Sequence, residues 1–432
     1  MTLTQNDESK ENKQSILEIT FHREIDANQF HPETLRYLSG TLLAHRKRLG
    51  QYFTPKSIRE QLIELLPKGE KYNRILDPSC GTGEFLHSTH NMFPAADLAG
   101  WEIDPKPAEI AKGLCPWATI NQRDALITKP DELETWDLVI GNPPYFELGP
   151  NSEVRNKFYQ VISGRANIFS FFIQQGLSLL RPGGVLAFVV PQSMNNGAYF
   201  SALRRYILEQ GAILHLTPVS SADCFLDAQQ TVMLFVVQKG KKSDNKVFRR
   251  NGFVIFSPDP QKLEQLFVNK HTLAELGFYV RTGRIVWNQC RPLLRRKRSE
   301  GEVLLWSHNI GSDGIQLSED NPKRPQYIAA SDPDCGPAII VNRITGASLR
   351  AVLRATVVPE GMKFFAENHI NVVYPYRHEG KLFQKDSNLI SVPIERVTAA
   401  LCSASAIQAA KLITGNTQIS ARELENLVPL DI

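Results

Sequence analysis

Through the first 240 residues, short apolar runs alternate with stretches in which apolar residues recur at helical spacing. Arg74-Ile-Leu-Asp77, Leu98 to Ile103, Leu138-Val-Ile140, Val185 to Val190, Ala212 to Leu216 and Thr231 to Gln238 are runs bounded by polar residues, Gly or Pro. Such runs predict buried strands. A further strand is expected to end at Arg123-Asp124-Ala125. Helical patterns lie between them. Thr54 stands where an N-cap belongs, with Pro55 at the first helical position, and Ile58, Leu62, Ile63, Leu65 and Leu66 carry the pattern to Pro67. Asn167 to Leu180 reads as an apolar helix closed by Arg181-Pro182-Gly183-Gly184, and Ala198 to Glu209 as another. Strand alternating with helix predicts an α/β fold with a mostly parallel, seven-stranded, doubly wound sheet covered on both faces. Ligands of such sheets bind beyond the carboxyl ends of the strands.

The pattern changes at Lys239-Gly-Lys-Lys-Ser-Asp-Asn-Lys246, which reads as a surface linker. Beyond it the periodicity weakens and no topology can be assigned; an α+β or mixed domain is expected. Before it, Ser15 to His45 carries helix-like patches without a firm assignment, and Met1 to Gln14 is polar. The expected division is an N-terminal arm over 1–45, a first domain over 46–240 and a second over 241–432.

Charge sharpens this division. Residues 1–240 hold 23 basic against 26 acidic residues, and residues 241–432 hold 26 against 19. A near-neutral front half and a basic back half fit an enzyme core joined to a polyanion-binding module; solvated faces distributed by chance fit them too. The composition, 42% hydrophobic and 22% charged, is that of a soluble globular chain. No apolar run approaches a membrane span, and the N-terminus carries no signal-peptide apolar region. Cysteines 80, 115, 224, 290, 335 and 402 form no Cys-x-x-Cys pair, so free thiols are expected, with neither a zinc site nor a disulfide framework.

Candidate chemistry collects at the strand ends. Pro78-Ser-Cys-Gly81-Thr-Gly83 turns from the first strand into a helix, letting backbone approach a ligand, though a plain tight turn accounts for it as well. It is not the dinucleotide-binding fingerprint. Glu102 ends the second strand about 20 residues later, where a carboxylate accepts hydrogen bonds from ribose hydroxyls. Asp124 ends the third. The fourth runs into Gly141-Asn142-Pro143-Pro144-Tyr145-Phe146. Two prolines hold this segment extended and stiff. A capping turn is one reading of it and a rigid functional loop the other. Asp77, Glu102, Asp124 and Asn142 together at one sheet edge are hard to explain as packing. In the second domain, Arg281, Arg284, Arg291, Arg295, Arg296, Lys297 and Arg298 enclose Trp287 and Asn288 with no acidic residue among them. That mixture suits phosphate contacts and base readout. Trp306, His308, Asn309, Asn342 and Arg343 are further candidates.

With these motifs in order, the chain resembles the S-adenosylmethionine-dependent adenine-N6 DNA methyltransferases of the gamma arrangement, the Taq-type modification enzymes. The resemblance spans about residues 49–240. It rests on Gln51-Tyr-Phe-Thr54-Pro55, Asp77-Pro-Ser-Cys-Gly81-Thr-Gly83, Glu102-Ile103-Asp-Pro, Asp124, Asn142-Pro-Pro-Tyr145, and Phe225 before Gln229-Gln230-Thr231. It implies a Rossmann-like catalytic domain followed by a target-recognition domain. It implies that Thr54, Pro55, Asp77, Gly81 and Gly83 hold the methionine end of S-adenosylmethionine. Glu102 would take the ribose, with Ile103 and Asp124 at the adenine. Ala125 stands where the family often carries an aromatic, and Leu126 is its substitute. Asn142, Pro143, Pro144, Tyr145 and Phe225 would form the catalytic set. The Asn142 side-chain carbonyl and the Pro143 carbonyl would accept the amine hydrogens, with Tyr145 and Phe225 stacking on an extruded base. Arg281, Arg284, Trp287, Asn288, Arg295, Arg296 and Arg298 would contact double-stranded DNA. The resemblance further implies a cytoplasmic monomer, in a restriction–modification system with a separate endonuclease or solitary.

The same tetrapeptide occurs in methyltransferases of release-factor glutamine, and related forms in ribosomal RNA enzymes. The Thr54-Pro55 segment close before the glycine loop and the large basic second domain favour DNA. A non-catalytic DNA-recognition subunit is disfavoured because the polar strand ends are all present. A fused nuclease is disfavoured by the short N-terminal arm.

Overall fold

The computed structural model describes residues 27–149, 153–219, 231–318, 321, 323–343, 353–376, 392–414 and 419–432. Phe225 and the polar Met1 to Gln14 stretch lie outside the described residues. Contacts divide the chain into two units, one drawn from Met1–Met194 and Tyr199–Lys246, the other from Asn195–Ala198 and Val247–Ile432.

The first unit is built on seven strands: β1 (Arg74–Asp77), β2 (Asp97–Glu102), β3 (Thr119–Gln122), β4 (Trp136–Gly141), β7 (Leu180–Pro191), β8 (Gly211–Pro218) and β9 (Val232–Lys239). A small antiparallel pair, β5 (Glu147–Leu148) and β6 (Ala166–Asn167), stands apart. The sheet order is β3-β2-β1-β4-β7-β9-β8, parallel except for β9. Leu138, Val139, Ile140 and every residue from Val185 to Val190 are fully buried. Strands covered on both faces need such continuous apolar runs, which is why they stood out in the sequence. The helices are α1 (Pro32–Gly40), α2 (Leu43–Leu49), α3 (Lys56–Glu64), α4 (Glu84–Met92), α5 (Pro105–Leu114), α6 (Ile168–Leu179) and α7 (Ser201–Gln210). β1 and β4 are neighbours in space but not in sequence, so the sheet's switch point lies between Asp77 and Gly141.

Local chemistry moves three of the expected boundaries. β3 stops at Gln122 because the Asp124 carboxylate accepts the Leu126 N–H at 2.9 Å, turning the chain. The N-cap of α3 is Pro55, not Thr54, whose hydroxyl is engaged elsewhere. Arg181 to Gly184 lies inside β7 as a bulge, since pairing with β4 jumps from Trp136↔Leu180 to Leu138↔Val185.

The second unit is α+β. Phe278–Thr282, Ile370–Pro375, Ala338–Asn342 and Ala355–Val358 form an antiparallel sheet in that order. A mixed sheet joins Leu294–Arg295, Tyr327–Ile328, Glu302–Leu305, Lys363–Ala366 and Asp334–Cys335. Phe278, Val280, Ile339, Val341 and Val373 from the first sheet share one core with Val397, Leu401, Ala410 and Leu424, which lie on the helices Ile394–Leu401, Ala404–Thr414 and Ala421–Leu427. Strands of two to six residues with little alternation explain why no topology was readable here. No described helix is long and apolar enough to cross a membrane.

Candidate active site

The carboxyl ends of β1, β2 and β4 open onto a cavity of about 210 Å³. Thr54, Asp77, Gly81, Glu102, Ile103, Asp124, Ala125 and Asn142 all line it. Pro55 and Gly83 do not. Pro55 caps α3, and a Cβ on Gly83 would sit 3.0 Å from Cys115 Sγ and 3.3 Å from Ala111 Cα. Gly83 therefore serves the approach of α5 to the glycine turn. Pro143 and Tyr145 are buried beside the cavity and are not on its wall.

Two buried carboxyls form the floor. Asp77 is 1% exposed at the end of β1, and its Oδ1 accepts the Ser79 N–H at 3.0 Å. Burial pushes its carboxyl up to about 8; the Ser79 N–H opposes this and the Glu102 charge reinforces it. Gly141 makes room for this carboxyl, since a Cβ there would fall 2.5 Å from Asp77 Oδ1. Glu102 Oε2 accepts the Gly81 N–H at 2.9 Å, and its Oε1 accepts the Asp104 N–H at 2.8 Å. Burial also pushes the Glu102 carboxyl up, against the pull of those N–H groups. Apolar and aromatic walls come from Phe53, Phe85, Ile103, Leu126, Phe146 and Phe172.

Asn142 is held by its amide. Nδ2 donates to the Tyr52 carbonyl at 2.8 Å and to Thr54 Oγ1 at 3.0 Å. Both amide hydrogens are thus consumed, and the side-chain oxygen is left as the acceptor end. The Tyr145 hydroxyl donates to that oxygen and lies 2.8 Å from the Val189 carbonyl, sharing one proton between two acceptors. Its ring is stacked on Tyr52 at 5.6 Å and meets Phe169 edge-on. Tyr52 therefore covers one face of the Tyr145 ring, the ring expected to stack on a base.

The segment before the first strand carries more of the site than its sequence suggested. Leu49 to Thr54 forms one wall. Gly50 adopts φ +63°, and a Cβ there would lie 2.8 Å from Tyr145 N, so a side chain would drive the arm off the Pro-Pro-Tyr loop. Arg59, 3% exposed on α3, donates to the Thr54 carbonyl at 2.6 Å, to Ser88 at 2.9 Å and to Glu84 at 2.8 Å. Tyr52 and Phe53 were visible only as aromatics in a motif. Arg59 gave no signal, being one more charge on a helix.

In the second unit the basic segment is partly neutralised in space. Arg281 stacks on the Tyr374 and Tyr279 rings at 4.7 and 5.5 Å and lies 3.9 Å from Asp334. Arg284 faces Asp332 at 3.5 Å and Asp334 at 3.9 Å. Arg295 donates to the Pro292 and Leu294 carbonyls. Trp287 packs against the Ile285–Trp306 cluster with Arg291 over its ring. Asn288, Arg296 and Arg298 are exposed. Of the further candidates, Asn309 is fully buried and bonded to Gln316 and Gln326, and the Trp306 ring donates to the Pro325 carbonyl. The structure places these two side chains in the core.

The cavity's donor set suits a ligand with cationic groups for buried carboxyls, hydroxyls for a strand-end acid, and a flat ring for an apolar wall. Together with the sheet order, it fits the arrangement expected of an S-adenosylmethionine-dependent methyltransferase. Residues 97–225 match the family described as Eco57I restriction-modification methylase. Type II methyltransferase M.CvrRI of Paramecium bursaria Chlorella virus XZ-6E is 29% identical over 276 residues, 62% of this chain and 70% of that one. Type II methyltransferase M.BsuBI of Bacillus subtilis is 24% identical over 461 residues, 89% of this chain and 88% of its own. Among solved structures, a protein described as a class I S-adenosylmethionine-dependent methyltransferase, from Listeria monocytogenes, covers 55% of this chain and 75% of its own at 24% identity, with a TM-score of 0.40. The chain is thus similar to restriction-modification methylases and Type II methyltransferases.

Proposed function

We propose that the protein transfers a methyl group from S-adenosylmethionine to the 6-amino group of an adenine extruded from double-stranded DNA, as a modification enzyme whose cognate endonuclease is a separate chain. The observation that carries this is the Asn142 amide, fixed at the switch point with its oxygen as the acceptor end.

An adenine 6-amino group is a weak nucleophile because its lone pair is delocalised into the ring. Asn142 Oδ1 and the Pro143 carbonyl would each accept one of its hydrogens, favouring a pyramidal nitrogen. Acceptors set in place beforehand stabilise the positive charge that develops there. Pro143 and Pro144 keep the carbonyls from drifting, so the rest is alignment. The target amine is paired in duplex DNA and must leave the stack to reach Asn142. Phe53, Ile103 and Leu126 would bound the ring of the cosubstrate. Asp77 and Glu102 would face its cationic and ribose groups, Asp124 its adenine amine, and Thr54 and Gly81 its methionine end. Bound there, S-adenosylmethionine supplies the electrophilic methyl. Exposed Arg296, Arg298 and Asn288 are the freest of the basic segment to meet the DNA backbone.

The test is incubation with labelled S-adenosylmethionine and, separately, duplex DNA, RNA and release factor. Label in DNA as N6-methyladenine is expected; label only in RNA or protein overturns the reading. Asn142→Ala should lower kcat by at least about 100-fold in a protein that still melts cooperatively. Retained turnover would show that the amide is not the acceptor.

A further inference from the structure

We infer that Thr54 is the positioning residue that keeps the Asn142 amide turned with its oxygen toward the substrate amine, and that it couples this orientation to occupancy of the cosubstrate cavity. The inference rests on the reading of Asn142 as acceptor. An asparagine amide has two ends of similar shape and opposite polarity. Turned the wrong way, it would meet the two hydrogens of an amine with two of its own. Here Nδ2 donates to the Tyr52 carbonyl at 2.8 Å and to Thr54 Oγ1 at 3.0 Å. A flip would place the amide oxygen against the Tyr52 carbonyl, acceptor against acceptor.

Thr54 is itself held. It is 4% exposed, and its carbonyl accepts from Arg59, whose guanidinium is locked to Glu84 and Ser88. Glu84 opens α4, the helix that the glycine turn leads into. One chain of contacts therefore joins the glycine turn to the reactive amide through Glu84, Arg59 and Thr54. The Thr54 hydroxyl has one more property. It accepts from Asn142 through a lone pair and retains its own proton, on a residue that lines the cavity. An acceptor in the cavity that takes this proton would fix the hydroxyl with its lone pair on Asn142. The amide is then most firmly set when the cavity is filled.

Thr54→Val keeps the shape and removes the hydroxyl; Thr54→Ser keeps the hydroxyl and removes the methyl. With saturating S-adenosylmethionine and DNA, Thr54→Val should lower kcat by roughly 10-fold or more, the effect of one buried donor left unpaired. Thr54→Ser should recover most of that loss. Calorimetric affinity for S-adenosylmethionine should fall by a smaller factor than kcat, and thermal melting should show that both variants are folded. A wild-type kcat in Thr54→Val, or a change confined to KM and affinity for the cosubstrate, overturns the inference. Asn142→Ala is assayed alongside. If it keeps wild-type turnover, the acceptor reading falls and the inference with it. If it is inactive while Thr54→Val turns over normally, only the role of Thr54 falls.

Discussion

Asp77 gives the cavity a titration that binding measurements can read. It is 1% exposed, and burial pushes its carboxyl up to about 8. S-adenosylmethionine carries cationic groups, so occupancy of the cavity favours the ionised carboxyl, and the proton leaves on binding. A group with a pKa of about 8 is roughly 90% protonated at pH 7, so binding there should release about 0.9 proton. Below pH 8 the association constant should fall with a slope that approaches tenfold per unit, by ~50-fold between pH 8 and 6, equivalent to ~2.3 kcal/mol. The assay is titration calorimetry at several pH values in buffers of different ionisation enthalpy, on wild type and Asp77→Asn. The amine of the cosubstrate titrates alike in both, so the difference in proton release belongs to Asp77. The sign for the free protein follows from the same shift. The folded pKa lies above the unfolded one, so the Asp77 contribution to stability is complete below about 4 and is lost as pH rises toward about 8. Identical pH dependence in the two proteins would refute the reasoning.

Two further outcomes follow from the geometry. Arg59→Met leaves Glu84 and the Thr54 carbonyl without their buried partner and should cost about 3–5 kcal/mol in urea unfolding, with a loss under ~1 kcal/mol counting against the ion pair. Arg296→Ala should reduce the slope of log K for DNA against log salt by about one, whereas Arg284→Ala should change it less because Asp332 and Asp334 already face that guanidinium; equal slopes would place both charges on a solvated face.

The first unit was legible because parallel strands write themselves into sequence. β1 and β4 are apolar runs broken by Asp77 and Gly141, and their ends mark the ligand edge without further information. The pairing that puts those two ends side by side skips β2 and β3, and it could be inferred only from the fold class. What stayed hidden has a common cause. Arg59, Gly50 and Tyr52 act through contacts with residues far along the chain, and nothing in their local spacing distinguishes them from surface or core positions. The ion pairs of the basic segment were hidden for the same reason, since the acids that face Arg281 and Arg284 arrive from Asp332 and Asp334. Short strands in the second unit, some of only two residues, carry too little alternation to be read at all.

The Asn142-Pro143 junction also bears on how long the enzyme stays active. Asparagine ordinarily loses its amide with age when the backbone nitrogen of the next residue attacks the side-chain carbonyl and closes a five-membered imide. Pro143 has no N–H to surrender, so that route is closed at this position. The loss would matter here more than at a surface asparagine. A carboxylate at 142 would turn an oxygen toward the Tyr52 carbonyl where Nδ2 now donates, and the loop would have to move away from the cavity. The proline that stiffens the loop thus also closes the imide route by which the Asn142 side chain would lose its amide.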